Sequence, residues 1–362
     1  MSSVGVVRDP LYHRHLNDPW HPESPARLAA IDEMLAGFPL RDSVVEIPAR
    51  DASFEELAWV HEPSYIRLIE RTRERPRTVL DPDTSANAHS WEAARRAAGG
   101  AMQAVEAVLG GRVPAAFALV RPPGHHAEAD RARGFCLFNN VAVAAEYALR
   151  RRGLSRVLIV DWDVHHGNGT MHSFYGSRAV LYFSIHQYPH YPGTGRVDEI
   201  GAGEGLGYTV NVPLSGGQED ADYLAVFAEL LRPIALAYAP ELVLVSAGFD
   251  SHRDDPLAGM SVTVRGYGLM TAALRELVGR TGAAGPVLVL EGGYDLAVLA
   301  GGVARVLEVL IEGAGAATSA TAGGEAPAAE APAAAAETRA GAETLARIAE
   351  AKRLLGPYWS FP

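Results

Sequence analysis

The chain has 362 residues, near one large α/β domain or two average ones, and its 48% hydrophobic content is enough to bury a sizeable core and excludes disorder throughout. With 32 basic and 43 acidic residues the net charge is −11, and no basic stretch suited to neutralising phosphates stands out, which argues against direct nucleic-acid binding. Cys136 is the only cysteine, so an internal disulfide and a thiolate-rich metal site are excluded, and any metal must be held by His and carboxylates.

In chain order, Met1 to Asp9 lacks the basic and then apolar run of a signal peptide, and nowhere do about 18 consecutive apolar residues occur, so a cytoplasmic protein without a membrane span is expected. Runs rich in Val, Ile and Leu follow at Val4 to Val7, Val44 to Ile47, Ala116 to Val120 and Arg156 to Asp161. Others lie at Ala179 to Ile185, Tyr208 to Val212, Glu241 to Ser246 and Pro286 to Leu290. They read as strands buried on both faces. Helices are expected at Ser24 to Ala36, Trp91 to Leu109, Val141 to Arg151, Tyr223 to Tyr238 and Val264 to Val278, with Pro25 in a first turn and Gly279 as a stop. The alternation predicts an α/β fold on a mainly parallel sheet of about eight strands.

Five polar, Gly- and His-rich loops follow strands: Arg121 to His126, Asp161 to Thr170, His186 to Gly195, Gly248 to Pro256 and Glu291 to Asp295. Ligands of open parallel sheets bind beyond the carboxyl ends of the strands, so the five are expected to form one constellation. Seven of the 13 histidines lie between positions 125 and 190. Gly313 to Gly341 holds 14 alanines in 29 residues and no large apolar side chain, which predicts a flexible linker at 313–341 between a domain over 1–312 and a terminal helix and tail over 342–362. Leu345, Ile348 and Leu355 at helical spacing, followed by Tyr358 and Trp359, suggest that the tail docks back.

Asp161, Asp163 and His165 stand at alternate positions after Val157 to Val160, and period two puts them on one side of an extended chain. Asp250 ends a second strand–loop junction. A lone Asp after a strand is more often a cap or turn former. Two Asp and one His from two loops, however, make a three-ligand set with a position left open, the pattern of catalytic zinc. His125 and His126 on a Pro- and Gly-stiffened loop, and Tyr294 after two glycines, are each weak signals taken singly.

Together the runs RPPGHHAE, GFCLFNN, VDWDVHHGNGT, YPGTG, VSAGFDSHRDDPL and LEGGY, in this order from Arg121 to Tyr294, resemble the zinc-dependent histone deacetylase and acetylpolyamine amidohydrolase family. Weaker similarity, including His21-Pro22-Glu23 and Arg27, extends over roughly residues 10 to 310. Asn168 in HGNGT and Leu257 after DDP make the class II branch the nearest match. The resemblance implies an arginase/deacetylase-like open parallel sheet with helices on both faces, and hydrolysis of an acetyl amide that releases acetate.

It implies one zinc per chain on Asp163, His165 and Asp250; whether the native metal is zinc or iron is not legible. His126 would be the general base and later the acid, oriented by Asn168. His125, oriented by Asp161, would stabilise charge, and Tyr294 would donate to the acetyl carbonyl. A structural potassium ion would sit on carbonyls near Asp161, Asp163, His165, Ser184 and Ile185, and a second near Phe174, Ser177, Val180 and Tyr208. Gly134, Phe135, Tyr191 and Leu257 would wall the substrate tunnel, and Arg27 would line an inner polar pocket associated with acetate release. His166, His172, His186 and His190 carry no catalytic assignment, and Cys136 is expected to be buried and inert.

The substrate implied is an acetylated protein or a small acetyl amide such as an acetylpolyamine. Leu257, where polyamine-selective relatives tend to place a carboxylate, favours acetyl-lysine. Asp81, Asp83 and His89 lie in a loop expected near the tunnel mouth. A ureohydrolase of the same fold would need bridging carboxylates for two manganese ions, and His252 stands two beyond Asp250 where one is expected. A non-catalytic module binding acetylated ligands is the other alternative. The oligomeric state is not legible.

Overall fold

The structure, a computed structural model, describes residues 2–313 and 340–361; almost all of the expected linker at 313–341 lies outside the described residues. Eight strands form one sheet: β1 (Val4–Val7), β2 (Val44–Ile47), β5 (Ala116–Ala118), β6 (Val157–Asp161), β7 (Val180–Gln187), β8 (Thr209–Leu214), β9 (Leu242–Ala247) and β10 (Ala284–Leu290). Their order is β2-β1-β5-β10-β9-β6-β7-β8, and every neighbouring pair is parallel. The central strands are buried along their length, as their unbroken apolar runs require.

Helices pack on both faces. On one side α4 (Ser90–Leu109) lies against α5 (Asn140–Arg152) and the sheet. On the other, α1 (Ala26–Ala36) packs on α10 (Leu296–Glu312), and α10 on α9 (Val264–Thr281). The expected helix over Tyr223 to Tyr238 is α7 (Asp220–Val226) joined to α8 (Arg232–Tyr238) by a π turn at Phe227–Leu231. Pro233 brings no N–H to the ladder there, which accounts for the wider turn.

Several elements differ from the sequence reading. Helix α9 runs past Gly279 to Thr281 and stops at Gly282, which has φ +71°, the left-handed cap that glycine supplies without a Cβ clash. Helix α10 is an addition to the sequence reading; it is mainly apolar, every residue from Gly302 to Ile311 is buried, and Arg305, Glu308 and Glu312 are its only charged residues. The helices α2 (Phe54–Leu57) and α3 (Pro63–Glu70) and a hairpin of β3 (Thr78–Asp81) with β4 (Thr84–Ala86) are likewise additional.

The tail does dock. Helix α11 (Ala342–Leu355) lies along β8, and Ile348, Ala351, Leu355 and Trp359 join the core. The Trp359 indole donates to the Gly207 carbonyl at 2.7 Å. Leu345, expected on the docking face, is instead 51% exposed.

The five polar loops follow five adjacent strands, β5, β10, β9, β6 and β7. Chain connections run outward from β5 to β6 and return from β8 to β9, so the loops meet where the winding reverses, the place such sheets offer a ligand.

Candidate active site

Asp161 closes β6, and the backbone beyond it is shaped by its own carboxylates. The Asp163 amide donates to Asp161 Oδ1 at 3.2 Å and the His165 amide to Asp163 Oδ1 at 2.9 Å. Each carboxylate thus turns the chain two residues on. From β9 comes Asp250, whose Oδ1 accepts the Val164 amide at 2.9 Å and so ties the two loops together. As a result Asp163, His165 and Asp250, all buried, each offer one ligand atom within 4.8 Å of the others. Among the described residues this is the one group of its kind. His252 lies outside it, with Nδ1 accepting the Asp254 amide at 3.1 Å, so the bridging position of a two-metal site is not filled.

The group fits a divalent cation. Asp250 Oδ2 is fully buried without a well-aligned hydrogen bond and faces His165 Nδ1 at 3.2 Å. Two glycines make room for the carboxylates: a Cβ on Gly248 would fall 2.1 Å from Asp163 Oδ2, and one on Gly292 would fall 1.9 Å from Asp250 Oδ2. Burial opposes charge on His165, yet its hydrogen bond to Asp163 and the nearby Asp250 carboxylate push it up to about 10. A divalent cation would supply that positive charge and displace the proton. Two carboxylate oxygens and one imidazole nitrogen, with further positions open, are a donor set suited to zinc.

Beside this group the loop after β5 brings two histidines, their ring centroids 4.0 Å apart. His125 Nδ1 donates to Asp161 Oδ2 at 3.1 Å, an oxygen that also accepts the Tyr182 hydroxyl at 2.9 Å. His126 Nδ1 instead meets Asn168 Oδ1 at 2.8 Å. Burial disfavours charge on both. For His125 the Asp163, Asp161 and Glu291 carboxylates outweigh burial and push it up to about 10. For His126 the positive charges of His125 and His165 add to burial and hold it well below the usual histidine range. A carboxylate on one ring and a neutral amide on the other place the two histidines in different electrostatic surroundings.

The groups that shape the loop lie behind it. Glu291 Oε2 accepts the Gly124 and His125 amides at 2.7 and 3.2 Å. Arg27 donates to the Gly293 and Glu291 carbonyls at 2.7 and 2.5 Å, and its guanidinium lies 5.1 Å from the Tyr294 ring. Arg27 therefore braces the strand end that carries Tyr294. Asp255 Oδ2 accepts the Tyr294 amide at 2.7 Å from the other side.

An open cavity of about 220 Å³ leads inward to His126, His165 and Tyr294. All four expected wall residues, Gly134, Phe135, Tyr191 and Leu257, line it. Gly134 and Phe135 both have positive φ, 55° and 67°, in a tight turn closed by Arg133 and Cys136. A Cβ on Gly134 would fall 2.3 Å from His126. The amides of this turn are held by the β3–β4 hairpin: Gly134 donates to Asp83 Oδ1 at 3.1 Å and Phe135 to Thr84 Oγ1 at 3.0 Å. Cys136 is buried, and burial pushes its thiol well above the ordinary range.

Other expectations sort themselves by position. Asp83 lines the cavity, whereas His89 pairs with Arg14. His190, given no role from sequence, lines the cavity and stacks on His165 with centroids 5.1 Å apart. The first potassium set lies together, since Asp161 on β6 is the register partner of Ser184 on β7. Phe174, Ser177, Val180 and Tyr208 gather at the opposite end of β7: the Phe174 carbonyl accepts the Ser177 amide at 2.9 Å, and the Tyr208 carbonyl accepts the Tyr182 amide at 3.0 Å. Glu291, Asp255 and Glu128 went unread although each sits in or beside a quoted motif. No helix among the described residues is long and apolar enough to cross a membrane.

The histone deacetylase domain profile matches residues 21–310. Histone deacetylase 15 of Arabidopsis thaliana is 46% identical over 299 residues, covering 80% of this chain and 53% of that protein. Polyamine deacetylase HDAC10 of Homo sapiens is 42% identical over 301 residues, covering 80% and 44%. A probable deacetylase of Archaeoglobus fulgidus is 38% identical over 295 residues, covering 81% and 82%. The chain thus spans about half the length of the plant and human relatives. The crystal structure of the HDA15 HD domain superposes with a TM-score of 0.88 at 38% identity, covering 99% of this chain and 95% of that one. The chain belongs to the histone deacetylase family.

Proposed function

We propose that this protein is a zinc-dependent deacetylase that hydrolyses an acetyl amide, with acetyl-lysine in proteins as its substrate class. The observation that carries the reading is the buried Asp163, His165 and Asp250 group beside two adjacent histidines, one bonded to the Asp161 carboxylate and one to the Asn168 amide, at the end of an aromatic-walled cavity. Asp163, His165 and Asp250 would hold the metal. When bound, zinc supplies Lewis acidity that polarises a carbonyl and acidifies water.

The rest is done by side chains. Phe135 and Tyr191 flank the methylene stem of the substrate. His126, neutral and with Nδ1 engaged by Asn168, accepts at Nε2 the proton of the attacking water and passes it to the leaving amine. His125, charged against Asp161, stabilises the negative charge that develops beside it. Tyr294 donates to the acetyl oxygen as it becomes an oxyanion. Structural potassium ions, one by Asp161, Ser184 and Ile185 and one by Phe174, Ser177, Val180 and Tyr208, complete the proposed cofactors. A single buried thiol suits a cytoplasmic setting, and the catalytic domain is assigned to 1–312 with the 342–362 tail docked on it.

A second reading, an acetylpolyamine as substrate, is favoured by one observation: Asp83 places a carboxylate at the cavity, where it could attract a further ammonium. The human relative is named for polyamine deacetylation. Acetate release from an acetyl-lysine peptide and from acetylspermidine, measured with chelator and after adding back zinc or iron, tests both. Metal-dependent turnover of the peptide in preference to the polyamine is expected. Inactivity on both would sink the deacetylase reading.

A further inference from the structure

The two histidines are served differently. His125 has a carboxylate directly on its Nδ1, while His126 has only the neutral amide of Asn168. Behind that amide stands Glu128, whose Oε1 accepts Asn168 Nδ2–H at 2.5 Å. The second partner of Nδ2 is the His126 carbonyl at 3.2 Å. Both are acceptors only, so the amide has one orientation, with Oδ1 toward His126. That orientation requires the hydrogen on His126 Nδ1 and leaves Nε2 bare toward the cavity.

Glu128 is itself well placed to do this. Its carbonyl accepts His61 Nδ1–H at 2.8 Å, and its amide donates to the Arg131 carbonyl at 3.0 Å. His172 Nδ1 donates to both carboxylate oxygens, at 2.9 and 3.0 Å. Burial opposes charge on Glu128, but the hydrogen bonds from His172 and Asn168 prevail and hold its carboxyl below the ordinary value.

We propose that Glu128 is a positioning residue for proton transfer: through Asn168 it sets the tautomer of His126 and lends it the negative charge that an asparagine lacks. This rests on reading His126 as the proton carrier. A part-buried charged hydrogen bond that acts on the transition state should appear in kcat, with KM little changed.

The test uses Glu128→Gln, Asn168→Asp, the double variant and His126→Ala in the full chain, with zinc content and melting temperature as controls and an acetyl-lysine peptide as substrate. Glu128→Gln should lower kcat about tenfold with KM within about twofold. Asn168→Asp should lose at least as much, because two carboxylates then meet at the 2.5 Å contact. The double variant should recover to within about threefold of the parent, since the amide introduced at position 128 can donate to the carboxylate introduced at position 168, which bears directly on His126.

Additive losses in the double variant, or an unchanged kcat in Glu128→Gln, overturn the proposal. Should the double variant melt early, the ring-nitrogen shifts of His126 in Glu128→Gln decide. A mixture of tautomers supports the role, and retention of a single Nδ1–H form refutes it. An active His126→Ala removes the reading of His126 itself, whereas an inactive one beside a fully active Glu128→Gln removes only Glu128.

Discussion

At the floor of the cavity, which His126, His165 and Tyr294 line, and buried behind it, Asp161, Asp163, His165, Asp250 and Glu291 lie on, or within four residues of, the ends of three adjacent strands. At its mouth Asp83, Phe135 and Leu257 come from a hairpin, a tight turn and a long loop. The floor is positioned by the sheet and by bonds between its own carboxylates and neighbouring amides. The mouth is held by loop-to-loop bonds: Gly134 and Phe135 to the hairpin, His190 to the Leu257 carbonyl at 3.0 Å. If the proposed roles hold, chemistry sits on rigid strand ends and selectivity on adjustable loops, a division that permits the second to vary without disturbing the first.

The comparison can be broken most severely at the floor. Asp163→Ala or Asp250→Ala should lose bound metal and, with it, turnover down to background, as read by metal analysis and acetate release. Tyr294→Phe should keep its metal and fold yet lose about 10²–10³ in turnover, the cost of one oxyanion donor. Near-full activity in that variant would remove Tyr294 from the mechanism.

Behind both regions His61 ties the loop after β5 to the start of α5, donating to the Glu128 carbonyl and accepting the Asn139 amide at 2.9 Å through Nε2. Burial holds it neutral, down to about 4. Its folded pKa is below the unfolded value of about 6.5, so its contribution is complete above 6.5 and is lost as pH falls toward 4. At pH 5 the loss should be on the order of 2 kcal/mol. Chemical denaturation at pH 7.5 and pH 5 checks this: the stability deficit of His61→Gln at the higher pH should shrink or reverse at the lower one. A constant deficit would mean that His61 does not titrate in this range.

The mouth should give the smallest effect. Leu257→Glu should shift the ratio of acetylspermidine to acetyl-lysine peptide turnover about fivefold toward the polyamine, the size of an exposed charge contact of about 1 kcal/mol. Equal changes on both substrates would show that Leu257 does not select.

Much of the floor was readable because its signals are local. The spacing of Asp161, Asp163 and His165 after an apolar strand carries its geometry with it, and all eight strands declare themselves by composition. The mouth was readable only through resemblance, for nothing in the residues around Asp83 says that a hairpin there will hold the Gly134–Phe135 turn. The role of Glu128 is not legible locally because its partners lie 40 and 44 residues away.

The sequence by itself determined the parallel α/β architecture, the restriction of any metal to His and carboxylate ligands, and which strand ends carry the polar groups. Each of these follows from residue type and short-range spacing. Only the tertiary structure decided that β10 and β9 lie between β5 and β6, which puts Glu291 under the tandem histidines and Asp250 against Asp163. It also decided that Asn168 is oriented by a carboxylate from another loop. Those relations arise from chain crossovers and packing between distant segments, which no local pattern encodes.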